Sequence, residues 1–188
     1  MIDVLVVGSL SIIGSLYLAA HYNFWRPERP ISMPRILMYH SIGDEPGSSH
    51  AELVVTPDAF EKQLKLLKGK GYTFLKISEL LNSQNNQSKK VAITFDDGFK
   101  DNYEVAFPLL KKYGAKATVY LAPEIDGIEK LSKEMISEMV DSGLIEFGAH
   151  TLSHCNLEKC DAKSAEAEVK GSKERVETLT GRKCEAFA

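Results

Sequence analysis

Short apolar runs alternate with longer amphipathic stretches from residue 35 to the end of the chain. The apolar runs have the length and the β-branched and aromatic content of buried strands, and they predict strands at 35–39, 72–75, 91–95, 117–121 and 145–147. Apolar residues at helical spacing predict helices between them, at 57–69, 101–113, 132–142 and 161–180. Strands separated by helices are typical of parallel βα units, so the pattern predicts an α/β fold, as a barrel or as an open sheet.

Capping residues mark several of these boundaries. Thr56 before Pro57 is an N-cap hydroxyl with proline at the first helical position, and Gly69 marks the end of that helix. Ser78 is expected to cap a further short helix. The residues at 184–188 have the pattern of the beginning of another strand.

The N-terminus differs in composition from the rest of the chain. Residues 4–20 contain no charged side chain and would rise about 25 Å as a helix, near the lower limit for spanning a bilayer. We expect a membrane anchor over residues 1–22 and a proline-containing linker over 23–34. A cleaved signal peptide and a buried core helix are the alternatives, although a signal usually starts with basic residues and a soluble helix usually has a polar face.

Composition narrows the function classes. A chain of 188 residues can form one domain with a real core, and a formal net charge of −3 gives no reason to expect nucleic acid as a partner. No Gly-rich phosphate loop follows the first predicted strand, which disfavours a nucleotide-binding sheet. The 3 cysteines are too few for a disulfide framework, and the sequence has no Gly-x-Ser-x-Gly nucleophile elbow.

Two short motifs contain the candidate chemistry, and each follows a predicted strand. Thr94-Phe95-Asp96-Asp97-Gly98 has two adjacent carboxylates, and His150-Thr151-Leu152-Ser153-His154 has two imidazoles four residues apart. Residues just past the carboxyl ends of barrel strands lie where chemistry takes place in βα barrels. One carboxylate and two imidazoles are a usual ligand set for a divalent metal, with positions left open for water and substrate.

The two aspartates are expected to have different roles. Adjacent carboxylates repel each other, so both stay ionised near neutral pH only if a cation holds one of them. Asp97 as a metal ligand and Asp96 as the base toward the metal-bound water satisfy this condition. The pattern therefore predicts metal-assisted hydrolysis, with both imidazoles reaching the ion if their segment makes a helical turn.

The same residues are also compatible with roles that involve no catalysis. Asp-Asp-Gly is a common turn sequence, and a histidine pair on a loop can be incidental. His150, His154, Cys155 and Cys160 could instead form a structural zinc site, although their spacing matches no common zinc finger. His40 follows the first predicted strand, where it would either contact substrate or product or merely hydrogen-bond a loop.

The stretch from residue 35 to residue 188 resembles the polysaccharide deacetylases, also called the NodB-homology or carbohydrate esterase family 4 domain. The motif that contains Asp96 and Asp97 is similar to the family's first motif, and the motif from His150 to His154 is similar to its second. Met38-Tyr39-His40 and Phe99 resemble the branch that acts on poly-N-acetylglucosamine.

The resemblance implies a deformed (β/α) barrel and metal-dependent removal of N-acetyl or O-acetyl groups from a surface polysaccharide. By position it makes Asp96 the catalytic base and Asp97, His150 and His154 the metal ligands, with Zn²⁺ as the expected ion. A substrate in the cell envelope would suit an extracytoplasmic domain tethered by its N-terminus. The basic residues after the apolar run favour the opposite orientation under the positive-inside rule.

The later motifs of the family supply pocket walls and a histidine that acts as general acid, and the sequence up to Ala188 does not contain them. The domain at 35–188 is therefore expected to be truncated and its barrel incomplete. The alternative function is a non-catalytic, membrane-tethered protein that binds metal or glycan. Asp96 favours the enzyme, because a site that only binds metal does not require a base.

Overall fold

The computed structural model describes residues 14–21, 30, 33–44, 51–83 and 89–188. Residues 14–21 are helical, whereas most of the predicted anchor at 1–22 and of the linker at 23–34 lies outside the described residues. Across the described ranges, no helix combines the length and the apolar character needed to cross a bilayer. The chain divides after residue 30 into two compact units, of which Ile31–Ala188 contains both candidate motifs.

A parallel sheet forms the centre of this larger unit. Its strands are β1 (Arg35–Tyr39), β4 (Thr73–Leu75), β5 (Lys90–Phe95), β6 (Ala117–Leu121) and β7 (Ile145–Ala149), and β2 (Ser41–Ile42) and β3 (Val54–Val55) form a separate parallel pair. The order along the sheet is β1-β5-β6-β7, with β4 also paired to β5. The five predicted strands are confirmed. The β2–β3 pair was not predicted, because two residues are too few to show a period.

In the described part of the larger unit, five helices connect or cover the strands: α1 (Pro57–Gly69), α2 (Ile77–Leu81), α3 (Phe107–Tyr113), α4 (Lys133–Asp141) and α5 (Ala162–Thr180). The predicted helix starts at Thr56, Ser132 and Asp161 are confirmed, since each side chain accepts a hydrogen bond from the first turn of its helix. The continuous helix predicted at 101–113 instead begins with a π-helical turn over Asn102–Ala106.

The cap predicted at Ser78 is wrong. Lys76 occupies the N-cap position of α2, and the Glu79 carboxylate accepts the N–H of Lys76 at 3.1 Å. Ser78 lies inside the first turn, where its N–H and its hydroxyl both donate to the Glu146 carboxylate on β7, at 3.1 Å and 2.5 Å. Ser78 bonds to Glu146, which is distant in the sequence, instead of capping its own helix. The residues around Ser78 in the sequence give no sign of this acceptor.

β5 is the most deeply buried strand, with all six residues buried. β1 pairs with Val91–Phe95 along one edge of β5. β4 and β6 share the other edge, where β4 pairs with the first half of β5 and β6 pairs with its second half. A strand covered on both faces has a largely continuous apolar sequence rather than an alternating one, as the run from Val91 to Ile93 shows.

Aromatic and aliphatic side chains from α1, α3 and α4 pack against this sheet. Phe60 of α1 contacts Tyr39 and Phe95 edge to face, with ring centroids 5.1 Å and 5.8 Å apart. The largest fully buried side chains are Phe60, Phe95, Phe107, Ile42, Leu64, Ile93, Leu110, Ile136, Met139, Val91, Val119 and Val176. The core therefore lies directly beneath the strand that precedes Asp96.

The expectation of an α/β fold with a parallel sheet is confirmed, but the described strands do not close into a barrel. β1 and β7 end the strand order. The strand expected at 184–188 is reduced to one parallel bridge between Ala149 and Phe187. Hydrogen bonds from Ala149 N–H to the Ala186 carbonyl and from Ala188 N–H to the Ala149 carbonyl, at 2.9 Å and 3.1 Å, accompany the bridge.

Substitution of Gly148 is expected to destabilise the sheet. A Cβ at Gly148 would lie 2.5 Å from Tyr120 Cδ1 and 2.9 Å from the Ala186 carbonyl oxygen. Gly148→Ala should therefore lower the free energy of unfolding by about 1–3 kcal/mol, the usual cost of overpacking. Urea denaturation followed by circular dichroism would measure this change.

Gly69→Ala is the matched control, because no atom lies within 4 Å of a Cβ built at Gly69. This change should leave stability unaltered or raise it by up to about 1 kcal/mol, since alanine favours helix more than glycine does. Equal effects of the two substitutions would contradict the close packing described at Gly148.

Candidate metal centre and active site

The carboxyl end of β5 places Asp96 and Asp97 beside the ends of two neighbouring strands. Asp96 N–H donates to the Tyr39 carbonyl at the end of β1, at 3.0 Å. The Asp97 carbonyl accepts the N–H of Ala122, the residue after β6, at 3.4 Å. Both aspartates are buried, with 7% and 5% of their surface exposed. Ladder hydrogen bonds thus extend one or two residues past the strands and fix the backbone of both aspartates.

The backbone turns sharply at Asp97 and Gly98, which both have positive φ, of 70° and 81°. Aspartate is one of the few residues with a side chain that tolerates this region. At Gly98 a Cβ would also lie 2.5 Å from Leu121 Cδ2, so a side chain there would force Leu121 to move. The Asp-Asp-Gly sequence is therefore a turn, as its composition suggested, and this turn presents a carboxylate.

The second motif, residues 150–154, forms a loop after β7 that we call the histidine loop. Its first backbone N–H, at His150, donates to the Leu121 carbonyl at the end of β6, at 2.9 Å. Thr151 and His154 have positive φ, of 59° and 60°, so the loop is not a helical turn. The expectation that a helical turn brings the two imidazoles together is wrong. The left-handed backbone at Thr151 and His154 brings the two rings together instead.

Asp97, His150 and His154 converge, as expected from the motifs. His150 Nε2 lies 3.7 Å and His154 Nε2 lies 3.4 Å from Asp97 Oδ1, and the two ring centroids are 5.1 Å apart. Two ligands of a tetrahedral zinc ion, each about 2.1 Å from the metal, are separated by about 3.4 Å. The three side chains thus have the spacing of a metal ligand set.

The hydrogen bonds around these side chains also fit a metal ion. Asp97 Oδ1 is buried and has no hydrogen-bond partner among the described residues. A buried carboxylate oxygen without a partner is costly unless a cation balances it. His150 Nδ1 donates to the Ala188 carbonyl at 2.7 Å, which leaves the lone pair of Nε2 directed toward Asp97. The donor set therefore suits a divalent cation.

Asp96 lies beside this cluster and faces a third histidine. Its Oδ2 is 3.9 Å from His40 Nε2, so the structure brings the predicted base and the predicted substrate-contacting residue together. Burial raises the pKa of Asp96, whereas the nearby imidazoles of His150 and His40 act in the opposite direction. A carboxylate shielded from water beside an imidazole has the chemistry of a proton acceptor.

The cysteines do not join the metal ligands. The group of close ligand atoms found in the described part of the chain consists of Asp97, His150 and His154 and contains no thiol. Cys155 and Cys160 instead contact each other, with their sulfur atoms 3.5 Å apart. Burial raises the pKa of Cys155 to about 11, so its thiol is protonated near neutral pH. The structural zinc alternative is therefore not favoured.

Two residues that support the site, Asn102 and Glu168, were not predicted from the sequence. Asn102 Nδ2 donates to the His40 carbonyl at 2.7 Å and to Asp101 Oδ1 at 3.0 Å, which fixes the backbone after β1. Glu168 of α5 accepts the N–H groups of Leu152 and Ser153, at 2.8 Å and 3.0 Å. No periodicity or spacing marks these residues, because both act across the fold on backbone atoms.

The chain belongs to the polysaccharide deacetylase family, a family of hydrolases. The family model described as polysaccharide deacetylase matches residues 83–188, which is more than half of the chain and includes both motifs. The resemblance found in the sequence is thereby confirmed.

Two curated relatives and one solved structure show how far the similarity extends. A Bacillus subtilis (strain 168) protein, YxkH, which is named as a polysaccharide deacetylase, is 37% identical over 159 residues that cover 82% of this chain and 54% of its own. The poly-β-1,6-N-acetyl-D-glucosamine N-deacetylase of Staphylococcus aureus (strain MRSA252) is 34% identical over 114 residues, 56% of this chain and 39% of the relative. The chain thus spans about half or less of these relatives.

The solved structure is that of the Streptococcus pyogenes deacetylase PplD in complex with acetate. It matches with a TM-score of 0.73 and 33% identity, over 81% of this chain and 71% of that one. The agreement supports the parallel α/β architecture described above.

Removal of the Asp97 charge is expected to stabilise the metal-free protein and to abolish its stabilisation by Zn²⁺. At pH 8 without metal, Asp97→Asn should raise the free energy of unfolding by about 1 kcal/mol, because a neutral amide replaces a buried carboxylate whose Oδ1 has no hydrogen-bond partner, and asparagine also tolerates positive φ. The same variant should lose any rise in melting temperature on adding Zn²⁺. Thermal and urea denaturation would measure both properties.

Asp126→Asn, at an exposed position, is the control and should change stability by less than about 0.5 kcal/mol. A large loss of stability in metal-free Asp97→Asn would show that the carboxylate has a structural partner, against this prediction.

Proposed function

We propose that this chain is a metal-dependent polysaccharide deacetylase that removes N-acetyl groups from an N-acetylglucosamine-containing polysaccharide of the cell envelope. The observation that carries the proposal is that the imidazoles of His150 and His154 converge on Asp97 Oδ1, which has no hydrogen-bond partner among the described residues. The buried Asp96 carboxylate lies beside this group. The deacetylases among its relatives support it, including one named for poly-β-1,6-N-acetyl-D-glucosamine. The deformed (β/α) barrel expected from the sequence belongs to the same proposal.

Asp97, His150 and His154 would hold the ion. One carboxylate and two imidazoles suit Zn²⁺ and leave coordination positions open. Such an ion supplies Lewis-acid activation of the acetyl carbonyl and of the attacking water. The hydrogen bond from His150 Nδ1 to the Ala188 carbonyl fixes the imidazole tautomer and orients the ring.

Asp96 accepts the proton from the water that attacks the acetyl carbonyl. Its burial keeps other water away, and its place in the chain next to Asp97 brings it close to the ligand set. Hydrolysis consumes one water and yields acetate and a free amine, whose nitrogen must gain a proton as the amide bond breaks. His40, 3.9 Å from Asp96, is the residue we assign to contact substrate or product.

The surroundings of the histidines suit an exposed polymer. A cavity of about 340 Å³ is lined by His150, His154, Leu157 and Phe187 among others, and His154 has half of its side chain exposed. An acetyl group on a sugar chain could reach the ligand set from this side. The acetate complex of the Streptococcus pyogenes relative supports acetate as the product.

A membrane tether over residues 1–22, with the catalytic domain outside the cytoplasm, is a further part of the proposal. The uncharged run at 4–20 supports it, as does an envelope substrate, which is reached from outside. Protease treatment of intact cells tests this topology. Digestion of the domain without lysis would support it, and protection until lysis would contradict it.

Zinc content and acetate release from an acetylated β-1,6-linked glucosamine oligomer test the function in the purified full chain. His150→Ala should lose both zinc and activity. Asp96→Asn should keep zinc and lose activity at least about 100-fold, the typical contribution of a general base. His40→Ala should keep zinc and lower acetate release, because it removes a substrate contact. A chelator should abolish release, and added Zn²⁺ should restore it.

Three contrary outcomes would each point to a different conclusion. Zinc binding without acetate release from the wild-type chain would favour a non-catalytic metal- or glycan-binding protein. A wild-type chain that binds no zinc would contradict the assigned ligand set. Full activity in Asp96→Asn would exclude Asp96 as the base.

A further inference from the structure

One carboxylate from a distant helix accepts three hydrogen bonds from the histidine loop. Glu168 Oε2 accepts the N–H of Leu152 at 2.8 Å and the N–H of Ser153 at 3.0 Å. Glu168 Oε1 accepts the Ser153 hydroxyl at 2.8 Å. A carboxylate offers about four acceptor positions, and the loop fills three of those of Glu168.

The backbone of the loop explains why it needs such an acceptor. The left-handed residues Thr151 and His154 flank Leu152 and Ser153, whose successive N–H groups both point to one side. The regular hydrogen-bond pattern of a strand or helix does not offer one acceptor to two successive N–H groups, whereas a single carboxylate oxygen can accept both of them. Hydrogen bonds to an ionised acceptor are roughly twice as strong as neutral ones.

The same helix also holds the loop through an apolar contact. Leu152 lies over Gly171, one turn after Glu168 on α5, where a Cβ would come within 2.4 Å of Leu152 Cδ1. The Leu152 carbonyl accepts the N–H of Glu124 at 2.8 Å. α5 therefore holds the side chain and the N–H of Leu152, and Glu124 holds its carbonyl.

The two histidines depend on this arrangement to different degrees. His150 is held by its own hydrogen bonds, from its N–H to Leu121 and from its ring to Ala188. His154 has half of its side chain exposed and follows directly after the residues that Glu168 binds. The direction of the His154 ring therefore depends mainly on the backbone of the histidine loop.

We propose that Glu168 is a positioning residue for the metal centre: it fixes the backbone of the histidine loop so that His154 faces Asp97. This inference rests on the proposed metal-dependent function, and it adds a residue outside both motifs. Glu168 touches neither the ligand atoms nor the substrate. Its effect reaches the site through the N–H groups of Leu152 and Ser153.

Glu168→Gln in the full chain tests the proposal, because it keeps the size of the side chain and replaces one acceptor oxygen by an NH₂ donor. We expect Zn²⁺, measured by titration calorimetry, to bind at least about 10-fold more weakly, as for other residues that orient metal ligands. The visible absorption spectrum of bound Co²⁺ should also change, since it reports ligand geometry. Glu174→Gln, at an exposed position on the same helix, is the matched control and should alter neither property.

Metal-free protein gives an independent readout. In Glu168→Gln, hydrogen exchange at the amides of Leu152 and Ser153 should become faster, whereas amides in β5 and β7 should exchange as in the wild type. Circular dichroism of the same sample would show that the fold is intact. Unchanged exchange at both loop amides would contradict the proposed role of the carboxylate.

Ser153→Ala provides a second route that does not risk unfolding, because Ser153 is exposed. Loss of its hydroxyl should weaken zinc binding in the wild-type chain and should have a smaller effect in the Glu168→Gln background. Such non-additivity is the signature of two residues acting through one contact. Fully additive effects would indicate that the two residues act separately and would overturn the proposal.

The outcomes separate this inference from the proposed function. If the wild-type chain binds zinc, His150→Ala does not, and Glu168→Gln binds as the wild type does, the metal site stands and the role of Glu168 is wrong. Lower melting temperature with unchanged zinc affinity in Glu168→Gln would mean that Glu168 only stabilises the fold. A wild-type chain that binds no zinc would overturn both proposals.

Discussion

The pairing of β5 along both of its edges is the constraint on which the candidate site depends. β1 holds one edge and β4 and β6 share the other, while the ring of Phe60 from α1 packs on Phe95 of the strand. A strand with six buried residues and partners on both sides cannot shift its register without moving polar groups into the core. The position of Asp96 and Asp97 therefore follows from packing that lies beneath them.

The two sides of the site are built in different ways. The aspartates continue directly from a strand, so the sheet positions them through the hydrogen bond from Asp96 N–H to Tyr39. The histidines occupy a loop, where the sheet holds the first residue and α5 holds Leu152 and Ser153. This division attaches the carboxylates to the sheet, whereas the direction of His154 depends on the backbone of the loop.

Much of the fold and the identity of the converging residues could be predicted from the sequence. The apolar run before Asp96 and the glycine after Asp97 are local signals, and local signals locate strands and turns well. Residues 117–121 formed a strand with the predicted bounds for the same reason. The conformation of the histidine loop could not be predicted, since it depends on Glu168, fourteen residues after His154 in the chain. Ser78 was misassigned for a similar reason, because its acceptor is Glu146 on another strand.

The left-handed backbone at Asp97 limits how this site can change in evolution. At a φ of 70°, most side chains would strain the turn. Most substitutions at this position would therefore destabilise the backbone, whatever their effect on the chemistry of the site. Asparagine and glycine tolerate that conformation best. A lineage released from selection for the carboxylate would thus accumulate these two residues at position 97 while the fold persisted. Their appearance among homologous sequences would mark members that kept the architecture without the Asp97 carboxylate.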